Sequence, residues 1–466
     1  MFAADQLSVR SATGKRVELA WTGSSPAWTV ERRSGAGQFE KLATPSAASY
    51  ADESIAPYAS YRYRVRDQAG VVSNEVVVGP PPGGINLAAR LPNAANSNNF
   101  AGYTALAFDE NGDPAVAFLW MDPNSDGDYT DSTLNFVRWD RARYAWKTPV
   151  KVGVAGGIAY QNLAPVSLAC DGATGMFVVS YPANEVAGVQ VAVSHDGGGT
   201  WKSSAIGADL EGGVKSTALM ALNGRWLLAV VAELGGRLYS GPIDAAAADW
   251  KAQPIPAPDK TKLMANSNVV LTLDMNGKPL VAFWAQPEEG ENFRIIGWSP
   301  ESGQTATFLE TNGRTADTPA VQVARGPGRM HLILSCPLSE KDSDFAIWYS
   351  TSPGGAWSKP VKLPVDGPRS TNIPMALAVN SKGRIAAVFS SNSGSDDAAC
   401  GYPVLSTSTD GVKWNTCGLG KRYGERFEPQ PSTLNAGYGP DDRLNIVWHQ
   451  DGESKFGQGV LLWREP

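Results

Sequence analysis

Residues 374–390, PMALAVNSKGRIAAVFS, decide the fold of this chain. An apolar run that begins at Pro374 is followed by a polar turn with a Gly-Arg pair at Gly383, and then by a second apolar run, IAAVFS. Two short apolar runs on either side of a Gly-containing turn predict an antiparallel pair of β-strands.

This hairpin recurs with a period of about 50 residues. Seven copies lie between residue 97 and the C-terminus, and each leads into a third strand and, in most copies, a fourth that begins near a Trp. The first strands begin at Tyr103, Pro165, Thr217, Asn268, Pro319, Pro374 and Pro431. Four short strands per repeat are typical of a β-propeller. We therefore predict an all-β chain with a seven-bladed β-propeller over residues 85–466.

The two ends of the repeat region complement each other. The seventh copy stops after its third strand, GVLLW, at Trp463, and the stretch Ile85-NLAARLP is a strand that belongs to no copy. A propeller removes exposed strand edges when one end of the chain completes the blade that the other end begins. We therefore expect residues 85–91 to complete the last blade.

Composition excludes several classes of protein. The 466 residues include 15 Trp, 49 Gly and 32 Pro, as expected for many short strands joined by tight turns, and the net charge is −6. This charge argues against a general nucleic-acid binder, and no apolar run approaches the roughly 18 residues of a membrane span. The start MFAADQ resembles an initiator Met ahead of a mature N-terminus. A monomer that is secreted, periplasmic or on the cell surface is expected.

The four cysteines are expected in two settings. Cys170 and Cys336 fall in predicted inner strands and are expected as buried thiols. Cys400 and Cys417 flank one hairpin and could form a bridge, although their register about the turn is not symmetric.

Residues 1–79 do not share the repeat. They contain alternating stretches such as VELAW and YRYRVRD, and Ile55–Val65 resembles the tyrosine-corner region of fibronectin type III modules, with Trp21 as the matching core Trp. The resemblance implies a small β-sandwich that acts as a spacer or interaction unit. Residues 80–84 are rich in Pro and Gly and are predicted to form a linker between the two domains.

One turn type recurs before the fourth strands. Ser194–Trp201, SHDGGGTW, fits the pattern S-x-D-x-G-x-T-W; Ser408–Trp414 is a shortened copy, and Ser350–Trp357 is a degenerate one. This pattern is the Asp-box, or BNR repeat, so the second domain resembles the sialidase-like superfamily. The resemblance implies that the Asp binds turn backbone, that the Trp packs between blades, and that His195 is an exposed turn residue on the face away from the active site.

The chain also departs from the sialidases. They have six blades, whereas seven copies of the repeat occur here. Seven-bladed relatives include polysaccharide lyases, other glycosidases and lectins. The resemblance therefore implies the fold and a glycan ligand, but not the sialidase reaction.

Three arginines occupy one position in consecutive copies. Arg314, Arg369 and Arg426 each lie five residues before the Pro that opens a first strand. In a propeller these segments open on one face around the central channel, where three guanidiniums could clamp a carboxylate, sulfate or phosphate. Alternatively, they could pair with acids of neighbouring loops, among them Asp317, Glu425, Glu428 and Asp451.

Further residues are predicted near the same face. His449 ends the second strand of the seventh copy and could be a general base or acid, or simply a hydrogen-bonded rim residue. Trp284 could stack on a sugar or be buried between blades, as could Trp120 and Trp448. Polar residues suited to sugar hydroxyls precede or begin first strands, namely Tyr160, Asn162, Asn266, Asn268 and Asn372.

The reaction class stays open at this level. A glycoside hydrolase would need a pair of carboxylates, for which Asp317 and Glu428 are candidates, with further acids available from Glu288, Glu289, Glu291, Asp342, Asp344 and Asp451. A lyase acting on a uronate would need a base and neutralisation of the carboxylate, for which His449 and the arginines suffice.

An acidic loop in the first copy suggests a structural cation. Oxygen donors alternate in Asp122-Pro-Asn124-Ser-Asp126-Gly-Asp128, a spacing that suits Ca²⁺, although the terminal Glu of an EF-hand loop is missing. A solvated acidic loop is the alternative, and no organic cofactor is expected.

These observations predict a carbohydrate-active enzyme, a hydrolase or a lyase, that acts on an anionic or polar glycan. The alternatives are a non-catalytic lectin or adhesin, or a protein-binding scaffold that uses the same face. A lectin tends to repeat its binding site in most blades, whereas the arginines occur in three of the seven copies, which favours the enzyme over the lectin.

Overall fold

The computed structural model describes residues 6–90, 100–121, 132–155, 166–182, 188–210, 213–233, 235–264, 267–289, 292–311, 320–335, 346–364, 375–392, 401–419, 434–450 and 459–466. These residues fold into β-strands, with one short 3₁₀ helix at Ala247–Asp249.

The N-terminal residues form a two-sheet sandwich. Its strands are β1 Leu7–Ala12, β2 Val17–Trp21, β3 Trp28–Ser34, β4 Glu40–Ala43, β5 Ser49–Asp52, β6 Tyr61–Asp67 and β7 Val76–Val78. One sheet has the order β1-β2-β5 and the other β4-β3-β6-β7. Both sheets contribute to one core, in which the rings of Trp21 and Trp28 meet edge to face at 5.9 Å. At its edge, the backbone N–H of Ala56 donates to the hydroxyl of Tyr61 at 2.7 Å.

The chain then enters a series of antiparallel sheets, numbered here as sheets 1 to 7 of the ring. After β8 Gly84–Arg90, sheet 1 contains β9 Phe100–Phe108, β10 Pro114–Met121, β11 Thr133–Asp140, β12 Ala145–Trp146 and β13 Val150–Val154. Sheet 2 contains β14 Ser167–Asp171, β15 Met176–Tyr181, β16 Val189–Ser194 and β17 Lys202–Ile206. Sheet 3 contains β18 Val214–Leu222, β19 Arg225–Ala232, β20 Gly235–Pro242 and β21 Lys251–Pro254.

The second half continues the series. Sheet 4 contains β22 Thr261–Leu263, β23 Val270–Leu273, β24 Pro279–Pro287, β25 Arg294–Trp298 and β26 Thr305–Glu310. Sheet 5 contains β27 Ala320–Gly326, β28 Arg329–Ser335, β29 Ile347–Ser352 and β30 Val361–Lys362. Sheet 6 contains β31 Met375–Val379, β32 Ile385–Asn392, β33 Gly401–Ser408 and β34 Asn415–Gly418. Sheet 7 contains β35 Asn435–Tyr438, β36 Leu444–Gln450 and β37 Gly459–Arg464.

The first strands of the sheets form a closed circle. Strands β9, β14, β18, β23, β27, β31 and β35 each contact the next one in this order, and β35 contacts β9. Apolar clusters fill the space between neighbouring sheets, and Trp226, Trp284, Trp298 and Trp448 are fully buried. A closed circle of antiparallel sheets is the arrangement of a β-propeller.

The last sheet is completed by β8, the strand that precedes the first sheet of the ring. Strand β8 lies against β37 as the outer strand of sheet 7, with Ala89 opposite Val460 and Ile85 opposite Trp463. A bulge at Ala88 interrupts the register. This pairing covers the edge of β37 that would otherwise be open.

The linker lies against the ring rather than in solvent. The indole N–H of Trp139 donates to the carbonyl of Gly79 at 2.8 Å, and the guanidinium of Arg464 donates to the carbonyl of Pro81 at 2.8 Å. Gly79, Pro80 and Pro81 are buried. The junction between sandwich and ring is therefore held by hydrogen bonds.

The recurrent turns are stabilised by their own side chains. In the turn from Ser194, the carboxylate of Asp196 accepts hydrogen bonds from the backbone N–H groups of Thr200 at 2.8 Å and Gly199 at 2.9 Å. These bonds, first that of Thr200, lower the pKa of Asp196 to about 2. Asp410 accepts equivalent bonds from Val412 and Lys413, both at 2.8 Å. His195 is exposed, as predicted.

The tryptophans after these turns contact the preceding sheet, which confirms the expected packing. The distance between ring centroids is 5.1 Å for Trp201 and Phe136, 5.0 Å for Trp414 and Tyr349, and 4.8 Å for Trp357 and Phe308. Each Trp thus joins two neighbouring sheets.

The possible bridge between Cys400 and Cys417 is wrong. Cys417 is an exposed free thiol in β34, opposite Leu405, which is five residues from Cys400 in the sequence. Cys400 itself lies outside the described residues. Cys170 is a half-buried free thiol, and burial raises its pKa to about 12. Cys336 lies outside the described residues.

A buried histidine near the start of β28, His331, should make the stability of the protein depend on pH. His331 is 2% exposed, and its Nδ1 lies 2.8 Å from the hydroxyl oxygen of Tyr349. Burial, and then Arg329, lower its pKa from 6.5 to about 4. As the pH falls below about 6.5, His331 is protonated in the unfolded chain but stays neutral in the folded chain until about pH 4. The free energy of unfolding therefore falls by about 3 kcal/mol between pH 6.5 and 4.

Denaturation at several pH values, for wild type and His331→Gln, measures this effect. The variant should lack most of the difference in stability between pH 6.5 and 4.5. Equal slopes for the two proteins would show that His331 does not carry this pH dependence.

Candidate functional site

The predicted arginine face can be located by the strands that follow it. Strands β27, β31 and β35 are neighbours in the circle, and Arg314, Arg369 and Arg426 belong to the segments directly before them. The three arginines themselves lie outside the described residues, so the clamp stays a prediction. The fold does place the strands that follow the three arginines next to one another.

Most other predicted site residues also lie outside the described part of the chain. They are Asp317 and Glu428 as carboxylates, Tyr160, Asn162, Asn266 and Asn372 as sugar contacts, and Asp122, Asn124, Asp126 and Asp128 as calcium ligands. Glu288 and Glu289 are described and exposed after β24. In the described ranges, no group of three or more His, Cys, Asp or Glu side chains is arranged to hold a metal ion.

The structure assigns His449 to the interior. It lies one residue before the end of β36, opposite Val460, and its side chain is fully buried. A general base must reach the substrate, directly or through one water. Of the two expectations for His449, burial argues against the general base or acid, and a structural role fits a buried residue of sheet 7.

Asn268 joins two sheets instead of facing a sugar. Its amide nitrogen donates to the carbonyl of Val321 at 2.6 Å, and its amide oxygen accepts from the N–H of the same residue at 2.8 Å. The side chain is buried, so its prediction as a sugar contact is wrong. Asn268 links the first strands of sheets 4 and 5.

Similar links recur around the circle and were not predicted. The hydroxyl of Ser216 accepts from the N–H of Val269 at 3.0 Å, and that of Ser167 accepts from the N–H of Leu219 at 2.8 Å. The amide of Asn435 donates to Thr104 across the closure between sheets 7 and 1. Their shared signal is a small polar residue within or beside an apolar first strand.

Trp284 is a core residue. Its side chain is fully buried in the cluster between sheets 4 and 5, which excludes stacking on a bound sugar. Its indole N–H has no hydrogen-bond partner among the described residues. Trp448 is also fully buried, whereas Trp120, at the end of β10, is half-buried. Of these three, Trp120 alone keeps ring surface for a ligand.

One described cavity lies elsewhere, between sheets 3 and 4. Its volume is about 230 Å³, and its walls include Leu227, Leu238 and Pro279, with Arg225 and Gln253 at its rim. Ligand pockets usually measure about 300–1,000 Å³ and combine apolar walls with several converging polar groups. The cavity opens beside the turn between β18 and β19, at the opposite end of the strands from the arginine segments.

The described chain holds no helix that is long and apolar enough to cross a membrane.

No protein-family model matches this chain, and no curated protein does. Among solved structures, an ulvan lyase of polysaccharide lyase family PL25, bound to GlcA(1-4)Rha3S, is 11% identical with a TM-score of 0.48, covering 82% of this chain and 94% of that chain. A Hadza microbial sialidase is 12% identical with a TM-score of 0.44, covering 99% and 92%. A leech intramolecular trans-sialidase is 11% identical with a TM-score of 0.40, covering 99% and 91%. The chain is thus similar to sialidases and a polysaccharide lyase, and this likeness does not extend to activity or substrate.

Proposed function

We propose that this chain is a secreted, sialidase-like, seven-bladed propeller that binds an anionic glycan at the arginine face and cleaves it. The observation that carries the proposal is the position of Arg314, Arg369 and Arg426, each directly before the first strand of one of three consecutive sheets. Because those strands are neighbours in the circle, the three segments end at adjacent points on one end of the ring.

The recurrent turns support the sialidase-like assignment. The turns from Ser194 and Ser408 share two features, a carboxylate that binds successive backbone N–H groups and an indole that donates to a turn carbonyl at 3.2 Å. These are the contacts expected of an Asp-box. The turns lie at the end of the ring opposite the arginine segments, which leaves the arginine end for function.

The N-terminal sandwich supports a fibronectin type III module. Its strand orders, β1-β2-β5 and β4-β3-β6-β7, and the bond from Ala56 to the Tyr61 hydroxyl agree with the resemblance at Ile55–Val65. Such a module fits a spacer or interaction role in a secreted glycan-active protein.

The chemistry at the arginine face follows from charge. Guanidinium groups bind carboxylates and sulfates through paired hydrogen bonds, so a uronate or sulfated sugar is the preferred ligand. Neutralising a uronate carboxylate makes the neighbouring C–H more acidic, as a lyase requires. Asp317 and Glu428 are the proposed carboxylates for the alternative, hydrolysis. Asp122, Asn124, Asp126 and Asp128 are the proposed Ca²⁺ ligands, which would rigidify a loop of the same face.

Replacing Arg369 tests the proposal. Losing charge-assisted hydrogen bonds worth about 1.5–3 kcal/mol should weaken binding of acidic oligosaccharides about 10- to 100-fold in Arg369→Ala. An array of acidic and neutral glycans, with turnover assays on the hits, measures binding and cleavage together. Arg225→Ala, an exposed arginine at the opposite end of the ring, is the matched control and should bind as wild type does.

The outcomes separate the alternatives. An unsaturated product indicates a lyase, a new reducing end without unsaturation indicates a hydrolase, and binding without turnover indicates a lectin. Loss of binding after EDTA treatment supports the calcium loop. If Arg369→Ala and wild type bind equally, the arginines are structural and the proposal fails.

A further inference from the structure

The outward face of the four-stranded sheet in the N-terminal sandwich carries an excess of positive charge. Residues directly opposite one another on neighbouring strands share a face, and the register joins Lys41 to Glu31, Glu31 to Arg64, and Arg33 to Arg62. Arg66, two residues beyond Arg64 in β6, lies on the same side. We call this surface the outer sheet face. It holds five cationic side chains, Arg33, Lys41, Arg62, Arg64 and Arg66, and two acidic ones, Glu31 and Glu75.

The two carboxylates do not satisfy the four guanidiniums. Glu31 contacts Arg64 at 2.5 Å and Arg66 at 3.5 Å, and Glu75 contacts Arg33 at 3.3 Å and Arg62 at 3.5 Å. Each guanidinium has five N–H donors, so most donors on this face have no acceptor within these four ion pairs; Arg66 also donates to the carbonyl of Gly70 at 3.1 Å. The side chains of Arg62 and Arg66 are 46% and 36% exposed.

Arg33 and Arg62 share one carboxylate, that of Glu75. Arg33 and Arg62 lie directly opposite each other, and like charges at such cross-strand positions destabilise a sheet. The whole chain carries a net charge of −6, whereas this face carries an excess of three positive charges. The positive charge is therefore concentrated locally, which favours a negatively charged partner at this face.

Phe39 holds two of the arginines in place. The guanidinium carbon of Arg64 lies 4.0 Å from the centre of its ring, and that of Arg33 lies 4.8 Å from it. Guanidinium groups stacked on an aromatic ring lose less conformational freedom when they bind an anion. The face is thus partly organised before a ligand arrives.

The spacing fits a chain of anions better than a single one. Arg62, Arg64 and Arg66 alternate along β6, so their Cα atoms are about 7 Å apart and the row spans about 14 Å. A linear polymer with regularly repeated carboxylates or sulfates can contact such a row at successive sugars. A single small anion would contact only part of it.

We propose that the outer sheet face binds an acidic polysaccharide, through carboxylates or sulfates, as a second contact remote from the arginine segments of the ring. The choice of a polysaccharide rests on the proposed function, whereas the cationic face does not. The sandwich would then hold the polymer to the protein.

Binding of defined polymers to the whole chain tests this proposal. The probes are polygalacturonate, which carries only carboxylates, dextran sulfate, which carries only sulfates, and uncharged dextran. Wild type should bind at least one acidic polymer and not dextran. The double variant Arg62→Gln/Arg64→Gln should bind it about tenfold more weakly or worse, and the loss should shrink as salt is added.

Two further variants guard against a folding artefact. Glu75→Gln removes a negative charge from the face and should strengthen binding several-fold, an effect that misfolding cannot produce. Arg143→Gln, an 83% exposed arginine on the ring, should leave binding unchanged. Circular dichroism should show the same unfolding midpoint for wild type and Arg143→Gln.

Some outcomes would overturn the proposal. One is equal affinity of wild type and Arg62→Gln/Arg64→Gln; another is failure of wild type to bind either acidic polymer. Equal affinity for duplex DNA and for the polysaccharides would show a general polyanion surface instead. If only Arg369→Ala lost binding, this inference would be overturned and the proposed function would stand. If only Arg62→Gln/Arg64→Gln lost binding, this inference would stand and the proposed function would be overturned.

Discussion

Replacing Arg141 with alanine should destabilise the protein by about 3–5 kcal/mol, the usual cost of removing one partner from a buried ion pair. Arg141 is 5% exposed and Asp113 is 2% exposed, and two N–H groups of the guanidinium contact the two carboxylate oxygens at 2.8 and 2.9 Å. The variant leaves the Asp113 carboxylate buried without its partner. Chemical denaturation followed by tryptophan fluorescence measures the loss.

Arg143, two residues further on, is the matched control. It is 83% exposed and its nearest carboxylate, that of Asp140, is 3.8 Å away. Exposed pairs are usually worth less than about 1 kcal/mol, so Arg143→Ala should be nearly neutral. A similar loss of stability in both variants would contradict a special role for the buried pair.

The second large effect concerns the closure of the ring. Gly459 begins β37 opposite Arg90 of β8, and a Cβ atom placed on it would lie 2.2 Å from the carbonyl oxygen of Ala89. Because the obstacle is backbone, only separation of the two strands can relieve the clash. Gly459→Val should therefore destabilise the protein by about 3 kcal/mol or more, at the upper end of overpacking effects. Thermal unfolding followed by circular dichroism measures it.

Gly172 provides the control for this substitution. No atom lies within 4 Å of the position of its added Cβ, and its φ is not in the left-handed region. Gly172→Ala should change stability by less than about 1 kcal/mol. If Gly459→Val unfolded no earlier than Gly172→Ala, β8 would not contribute to holding the ring closed.

The repeat made the strands predictable from the sequence. The stretch at 374–390 yields β31 and the first part of β32, and the stretch from Ile85 forms β8 against the last sheet. Alternating apolar residues and Gly-containing turns are local signals, and they repeat at every copy. Such signals define strands even when the partners are far apart in the chain.

Burial at the strand ends could not be predicted in the same way. His449 lies one residue before the end of β36 and Trp284 three residues before the end of β24, and the sequence does not state how far neighbouring sheets cover these positions. Asn268 looked suitable for a sugar because an amide can bind either a hydroxyl or a backbone. The register that brings it to Val321 of the next sheet depends on packing between sheets, which no local pattern encodes.

The most direct test of the account is a crystal structure of the protein with an acidic oligosaccharide. We predict that a sugar carboxylate or sulfate will lie within hydrogen-bond distance of Arg314, Arg369 and Arg426, at the end of the ring where β27, β31 and β35 begin. An oligosaccharide bound away from these arginines, with their guanidiniums paired to acids of neighbouring loops, would contradict the claim that they form the glycan site.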